Sequence, residues 1–164
     1  MPIAQTLFPE FEQEMKTTRR LLERVPTDKG QWKPHEKSFS LGHLAQLVSW
    51  MPGWITSTLT TDSLDISGAS RYSYEKTESL LEVFDKNVSA AREAIASVKD
   101  EDLDKPWSLK MGDKVLMTTP KGVTARTHIN HLVHHRGQLS VYLRLLDVPI
   151  PSIYGPTADE PWGA

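Results

Sequence analysis

Apolar residues recur three and four positions apart in four long segments of the chain, and polar stretches rich in proline and glycine separate these segments. This spacing places the apolar side chains on one face of an amphipathic helix. Ser40 is a typical N-cap before the second segment, and Pro52 is expected to kink that helix because proline removes a backbone hydrogen bond. The pattern predicts helices over residues 7–25, 40–60, 74–98 and 124–147.

A different pattern precedes the last helix, where two short alternating stretches flank Gly112 and Asp113. Alternation of this kind around a Gly-Asp pair predicts a β-hairpin over residues 107–119. The other connections are polar, and loops are expected over residues 27–39, 61–73 and 100–106.

The C-terminal segment that follows Asp147 contains four prolines and cannot form a helix. Ile150, Ile153 and Tyr154 supply apolar side chains, so the segment is expected to lie extended across the helices. Four long helices with short connections then predict an all-α fold, an up-down four-helix bundle with a small β-hairpin insertion before the last helix and an extended C-terminal tail. At 164 residues the chain is long enough for a single domain, residues 1–164, with its own core.

Composition narrows the possible chemistry. The chain has no cysteine, which excludes disulfides, a thiolate metal site and a cysteine nucleophile. Its net charge is -2 and its basic residues are spread along the chain, so no nucleic-acid or membrane partner is expected. The N-terminus lacks a signal pattern and no apolar run reaches about 18 residues, so a soluble, cytoplasmic protein is expected.

The last helix carries most of the candidate chemistry, with four of the six histidines. At about 100° per residue, His131, His135, Gln138 and Tyr142 fall within a sector of roughly 60°. Side chains four residues apart on a helix are neighbours, so His131 and His135 can both bind one divalent ion at about 2.0–2.1 Å. The spacing therefore predicts two ligands of a metal site, and a third ligand is expected from another helix of the bundle.

Other residues of this helix have lesser roles in the predicted site. His128 lies about 10.5 Å along the axis from His135, too far to share its ion. His134 points about 100° away from His135 and is expected to form hydrogen bonds near the site. Gln138 is expected to hydrogen-bond a histidine or a bound water, whereas Tyr142 is more often a core tyrosine than an acid.

Arg136 and Gly137, in the same helix, have structural interpretations. Arg136 is expected to pair with an acidic residue of a neighbouring helix or protomer. Gly137 costs about 1 kcal/mol relative to alanine inside a helix, which suggests close approach by another element.

Taken together, these segments resemble the DinB/YfiT-like superfamily of four-helix bundles. The resemblance covers nearly the whole chain, and NHLVHHRGQ in the last helix is its most specific piece. It implies a divalent metal, nickel or zinc, held by His131, His135 and one histidine of the second helix. It also implies transferase or hydrolase activity on a small-molecule substrate. A low-molecular-weight thiol is a candidate co-substrate of that activity. The other matching segments are WKPHEKS, SLGHLAQLVSWMPGW, FDKNVSAAREAI and VPIPSIYGPTADE.

The second helix departs from the family pattern, because the resemblance places the expected histidine at Leu47, which cannot bind a metal. His43 lies one turn earlier on the same face, about 6 Å along the axis. Three possibilities follow. His43 is a relocated third ligand, Gln46 or water completes the site, or the metal has been lost and the fold retained.

Two functions therefore compete. The first is a metal-dependent transferase or hydrolase, in which the ion activates a water or binds a thiolate; no general base is identifiable. The second is a metal-free small-molecule-binding or interaction protein, expected as a homodimer, with an apolar pocket walled by tryptophans. Core packing is the simpler explanation of those tryptophans, which are Trp32, Trp50, Trp54 and Trp107.

Overall fold

The computed structural model describes residues 3–69 and 71–161, and the side chains of residues 3–6 lie outside that description. The predicted all-α fold is confirmed, since four long helices account for most of the chain and a small sheet accompanies them. The helices are α1 (Ile3–Leu22), α2 (Leu41–Thr60), α3 (Thr77–Ser97), the short α4 (Asp100–Leu103) and α5 (Lys121–Leu145).

The ends of the long helices lie within about four residues of the predicted ones, and a short helix was not predicted. The last turn of α1 tightens before Pro26, because the amide of Val25 donates to the carbonyl three residues back, so the helix ends earlier than expected. The segment expected to be an acidic loop instead begins with α4, and that prediction was wrong. Acidic side chains in a first helical turn are favourable because they lie near the positive end of the helix dipole, and α4 begins with Asp100, Glu101 and Asp102.

The start of α2 agrees with the predicted cap. The side-chain oxygen of Ser40 accepts the amide of His43 at 3.3 Å, which satisfies a donor that the first helical turn leaves free. Pro52 is buried inside α2, and the helix continues past it to Thr60.

The end of α5 is a left-handed cap. The amide of Val148 donates to the carbonyl of Leu143 at 3.0 Å, and Asp147 has a φ of 58°. This is a Schellman motif, in which a residue with positive φ reverses the chain after the last turn. Residues 148–161 then form neither helix nor strand, as predicted, and Ile150 is buried against the helices.

The predicted hairpin is confirmed and belongs to a three-stranded sheet. β2 (Pro106–Met111) pairs antiparallel with β3 (Lys114–Pro120) across a two-residue turn, in which Gly112 has the φ of 59° that a type II′ turn requires. The sequence pattern did not predict β1 (Ser63–Asp65), which pairs parallel with β2. Three residues are too few to show an alternating pattern, so this strand depends on its neighbour.

The core lies between α1, α2, α3 and α5, with α2 in contact with both α3 and α5. Among the described helices, none combines the length and the hydropathy that crossing a bilayer requires. Representative core side chains, all at most 1% exposed, are Phe11, Leu44, Val48, Met51, Phe84, Leu132 and Leu139.

Three contacts set the alignment of α2 against α5. Thr58 Oγ1 lies 3.2 Å from His128 Nε2, and the ring of Trp54 lies 5.8 Å from that of His131. At the other end, the Tyr142 hydroxyl donates to the carbonyl that precedes α2, that of Phe39, at 3.3 Å. The two helices are therefore antiparallel, and the middle of α2 lies level with the turn of α5 that contains His135.

Candidate functional site

The two histidines predicted as metal ligands are brought together on α5. The Nε2 atoms of His131 and His135 are 2.9 Å apart, and their ring centroids are 4.7 Å apart. His131 is exposed and His135 is half-buried, while Trp54 of α2 covers one side of the His131 ring. Both nitrogens thus point at the same spot, on the border between the helix pair and solvent.

Gln138 fixes the protonation pattern of His135. Its Oε1 lies 2.7 Å from His135 Nδ1, and an amide oxygen only accepts, so Nδ1 carries the proton. Burial is the largest cause that lowers the pKa of His135, and likewise of His131, below the ordinary 6.5, so both rings are neutral at pH 7. His135 Nε2 is therefore unprotonated, which is the form in which histidine binds a metal.

The separation of the two Nε2 atoms is compatible with two arrangements. In one, His131 donates an N–H to His135. In the other, both nitrogens would be unprotonated and would hold the same divalent ion, for which imidazole nitrogens are suitable ligands.

His134 and Tyr142 lie beside this pair in different ways. His134 is exposed, and its ring meets that of His135 edge-on at 4.9 Å. Tyr142 is half-buried, donates to the carbonyl of Phe39, and packs edge-on against Trp32 at 5.7 Å. Tyr142 therefore ties the loop before α2 to α5.

The expected donors of α2 have other contacts in the structure. The ring of His43 is stacked between Phe39 and Tyr72, at centroid distances of 4.1 Å and 3.8 Å. Burial, and next the charge of Lys33, lower the pKa of His43. The Oε1 of Gln46 accepts the amide of Ser73 at 2.8 Å, which ties it to the loop before α3.

Leu47 lies in the part of α2 that is level with His135, on the face it shares with Trp54 seven residues later. It is 6% exposed and belongs to the core. Within residues 3–69 and 71–161, no three His, Cys, Asp or Glu side chains are grouped so that they could hold a metal ion. The structure thus supplies two protein ligands, and a hydrophobic side chain occupies the level from which α2 would supply a third.

Sequence reasoning missed a buried cluster around His128, one turn before His131. His128 Nε2 lies 3.2 Å from Thr58 Oγ1, and the rings of Trp54 and Trp107 meet the imidazole edge-on at 5.7 Å and 6.3 Å. Burial, and next the nearby His131, lower the pKa of His128 to about 4. The signal in the sequence was a helical histidine pointing inward, but its partners come from two distant segments.

The four tryptophans do not line one common apolar pocket. Trp54 and Trp107 pack around His128, and Trp32 packs on Tyr142. Trp50 stacks on Tyr72 and lines a half-open cleft of about 200 Å³ between α2 and α3. The other walls of that cleft are mostly polar, with Gln46, Ser49, Ser73, Glu75, Lys76 and Ser79 among them.

Arg136 pairs with an acidic residue of a neighbouring helix, one of the two partners that were expected. Its guanidinium lies 2.6 Å from Glu14 Oε2 of α1, and the pair is almost completely buried. The same guanidinium donates to Thr18 Oγ1 at 3.2 Å and to the Tyr154 hydroxyl at 2.8 Å. Tyr154 in turn donates to Glu14 Oε1 at 2.9 Å, so the network fixes the C-terminal tail to α1 and α5.

The expectation that Gly137 marks close approach by another element was wrong for the described part of the chain. A Cβ atom built on Gly137 meets no heavy atom within 4 Å there. Val141 and Leu145, four and eight residues later, are 57% and 58% exposed. This strip of α5 therefore faces outward.

Comparisons with known proteins agree with this architecture. The family model described as "DinB family" matches residues 1–163. A DinB-like protein from Bacillus subtilis has a similar structure, with a TM-score of 0.69 and 18% sequence identity over 87% of this chain and 92% of that one. A DinB-like protein from Bacillus cereus gives a TM-score of 0.67 and 21% identity, with the same shares covered, whereas no curated protein sequence matches significantly. The chain therefore belongs to the DinB family.

Proposed function

We propose that the protein is a metal-dependent enzyme of the transferase or hydrolase class, acting on a small molecule at the His131–His135 pair. The observation that supports this proposal is the 2.9 Å separation of the two Nε2 atoms, which suits two ligands of one divalent ion. Imidazole nitrogens suit nickel and zinc alike.

The residues around the pair have definite tasks in this proposal. Gln138 Oε1 accepts a hydrogen bond from the Nδ1–H of His135 and so keeps the metal-binding Nε2 unprotonated. Trp54 limits solvent on one side of His131, which strengthens electrostatic interactions there. A bound divalent ion would supply a Lewis acid for a water or a low-molecular-weight thiol.

Two protein ligands hold an ion less tightly than the three of an ordinary catalytic site. Leu47 contributes no donor, so water and substrate atoms would complete the coordination. We therefore expect metal affinity that is modest in the free protein and higher when a substrate chelates the same ion.

A metal titration tests the proposal. Untagged protein freed of metal with a chelator is titrated with Ni²⁺ and Zn²⁺ by calorimetry. We expect one equivalent to bind, a loss of affinity of at least about tenfold in His131→Ala, and a gain of at least about tenfold in Leu47→His. His35→Ala is the matched control, since His35 lies exposed in the loop before α2.

The second candidate is a metal-free binding protein, and the burial of Leu47 together with the stacking of His43 favours it. The same titration separates the two candidates. If wild-type protein binds neither ion while Leu47→His binds one, the metal-dependent proposal is wrong and the fold has kept two histidines without their ion.

We also propose that the protein forms a homodimer in the cytoplasm. The outward-facing strip of α5, Gly137, Val141 and Leu145, supports an association of this kind because exposed apolar side chains in a row mark interaction surfaces. Sedimentation of wild-type protein and of Leu145→Glu measures it, and a monomeric wild type would contradict it.

A further inference from the structure

Two side-chain nitrogens near α5 are buried and unpaired. Trp107 Nε1 and His128 Nδ1 have no hydrogen-bond partner among the described residues, and Trp107 is only 1% exposed. More than about nine in ten buried polar groups in native proteins have a partner, so two orphans on touching rings require an explanation. The indole N–H is a donor only and therefore needs an acceptor.

The proton on His128 follows from its other contact. Thr58 is fully buried, and its hydroxyl lies 3.2 Å from His128 Nε2. The Thr58 hydroxyl has no other acceptor among the described residues, so its proton is satisfied only if it goes to His128 Nε2. The neutral ring then carries its own proton at Nδ1.

Both orphan nitrogens are then N–H donors. The rings of Trp107 and His128 meet edge-on with centroids 6.3 Å apart. Trp54 lies between this cluster and His131, with its ring 5.7 Å from that of His128 and 5.8 Å from that of His131. The donors belong to α5 and β2, so their arrangement arises only in the folded chain. Two unpartnered N–H groups, both buried and on neighbouring rings, suit an oxygen with free lone pairs.

We propose that Trp107 Nε1–H and His128 Nδ1–H form an internal binding site for an oxygen acceptor, with Thr58 as its positioning residue. The acceptor is either a resident water or the carboxylate oxygen of a small ligand that enters past Trp54. The site shares no residue with the His131–His135 pair and does not depend on a metal there.

Nuclear magnetic resonance tests this site in the full-length, metal-free protein. Comparison with Trp107→Phe identifies the indole N–H signal of Trp107. That signal is then examined for transfer of magnetisation from water. In a second measurement its chemical shift is followed during titration with sodium formate. A cross-peak to a long-lived water supports the site with water as its occupant. A saturable shift of the Trp107 and His128 signals by formate supports it with a carboxylate as its occupant.

His128→Phe is the matched variant, because phenylalanine keeps an aromatic ring at this position without an N–H. We expect the nitrogen shifts of His128 in the wild type to show the proton on Nδ1, and whichever signal the wild type shows at Trp107 to be lost in His128→Phe. The Trp32 indole serves as the control resonance and should not change in the variant. Absence of both signals in the wild type, a proton on His128 Nε2, or survival of the Trp107 signal in His128→Phe would overturn the proposal.

Discussion

His135 and Arg136 are neighbours in sequence, yet α5 directs them into opposite surroundings, because successive residues of a helix point about 100° apart. Arg136 is 1% exposed and contacts Glu14, Thr18 and Tyr154 from two other segments. His135 is half-buried, and its hydrogen-bonding contacts are to Gln138 and His131 of its own helix.

This difference indicates that Arg136 contributes to the stability of the fold and that His135 is available for chemistry. The guanidinium of Arg136 is held by a carboxylate, two hydroxyls and a backbone carbonyl, which suits a group that joins α1, α5 and the tail. The histidine pair is tied to no other helix by a hydrogen bond in the described structure, and a lone pair remains for something from outside. We therefore expect substitutions in the first cluster to unfold the protein and substitutions in the second to leave it folded.

The largest effect is expected for Arg136→Met, which leaves Glu14 as a buried carboxylate without its cation. Loss of one member of a buried ion pair costs about 3–5 kcal/mol, so the free energy of unfolding in urea should fall by that amount. Arg92→Met is the control, since the Arg92–Glu12 pair also joins two helices but is exposed, and it should cost less than about 1 kcal/mol. Similar losses in the free energy of unfolding for both variants would contradict the expected difference between the buried and the exposed ion pair.

His128 lies between the two extremes, half-buried and with only one ring nitrogen paired, and it makes the free energy of unfolding depend on pH. Its pKa is about 4 in the folded protein, against 6.5 for an ordinary histidine. Below pH 6.5 the unfolded chain binds a proton at His128 that the native protein does not bind until the pH approaches 4. The free energy of unfolding should therefore fall as pH falls through this range, by about 3 kcal/mol from this group, and this contribution levels off at lower pH.

Urea unfolding of wild type and His128→Gln between pH 7 and pH 4 measures this contribution, because other titrating groups affect both proteins alike. The variant should lose less stability over that range. His35→Gln, at an exposed histidine, is measured alongside as the matched control. An unchanged slope in His128→Gln would show that the histidine is not held neutral by the fold.

A smaller effect, of opposite sign, is expected one residue beyond Arg136. Gly137 is exposed, and a methyl group would meet nothing within 4 Å in the described structure, so Gly137→Ala should raise the free energy of unfolding by up to about 1 kcal/mol. Thermal unfolding at several protein concentrations measures it. A loss of stability that depends on concentration would instead mean that Gly137 is in close contact with the other protomer across the proposed homodimer interface.

The smallest effect on stability is expected at the histidine pair. His131 is exposed, so His131→Ala should change the free energy of unfolding by no more than about 0.5 kcal/mol in metal-free buffer. With Ni²⁺ present the wild type should gain stability and the variant should not, because a ligand that binds only the native state stabilises it. A large loss without metal would mean that the pair contributes to the fold itself.

The sequence by itself determined the parts of this protein that depend on local periodicity. Apolar spacing located the four long helices, Ser40 marked the start of α2, and Gly112 with Asp113 located the hairpin turn. Spacing of four residues also put His131 and His135 side by side, because a helix fixes the direction of each side chain from its position alone.

Tertiary structure alone decided every partner that comes from a distant segment. It put Leu47 level with His135, stacked His43 between Phe39 and Tyr72, and chose Glu14 as the partner of Arg136. It also added β1 to the hairpin. Such contacts depend on how helices rotate and slide when their apolar faces pack, and a local pattern in one segment carries no information about the residue that another segment will place opposite it.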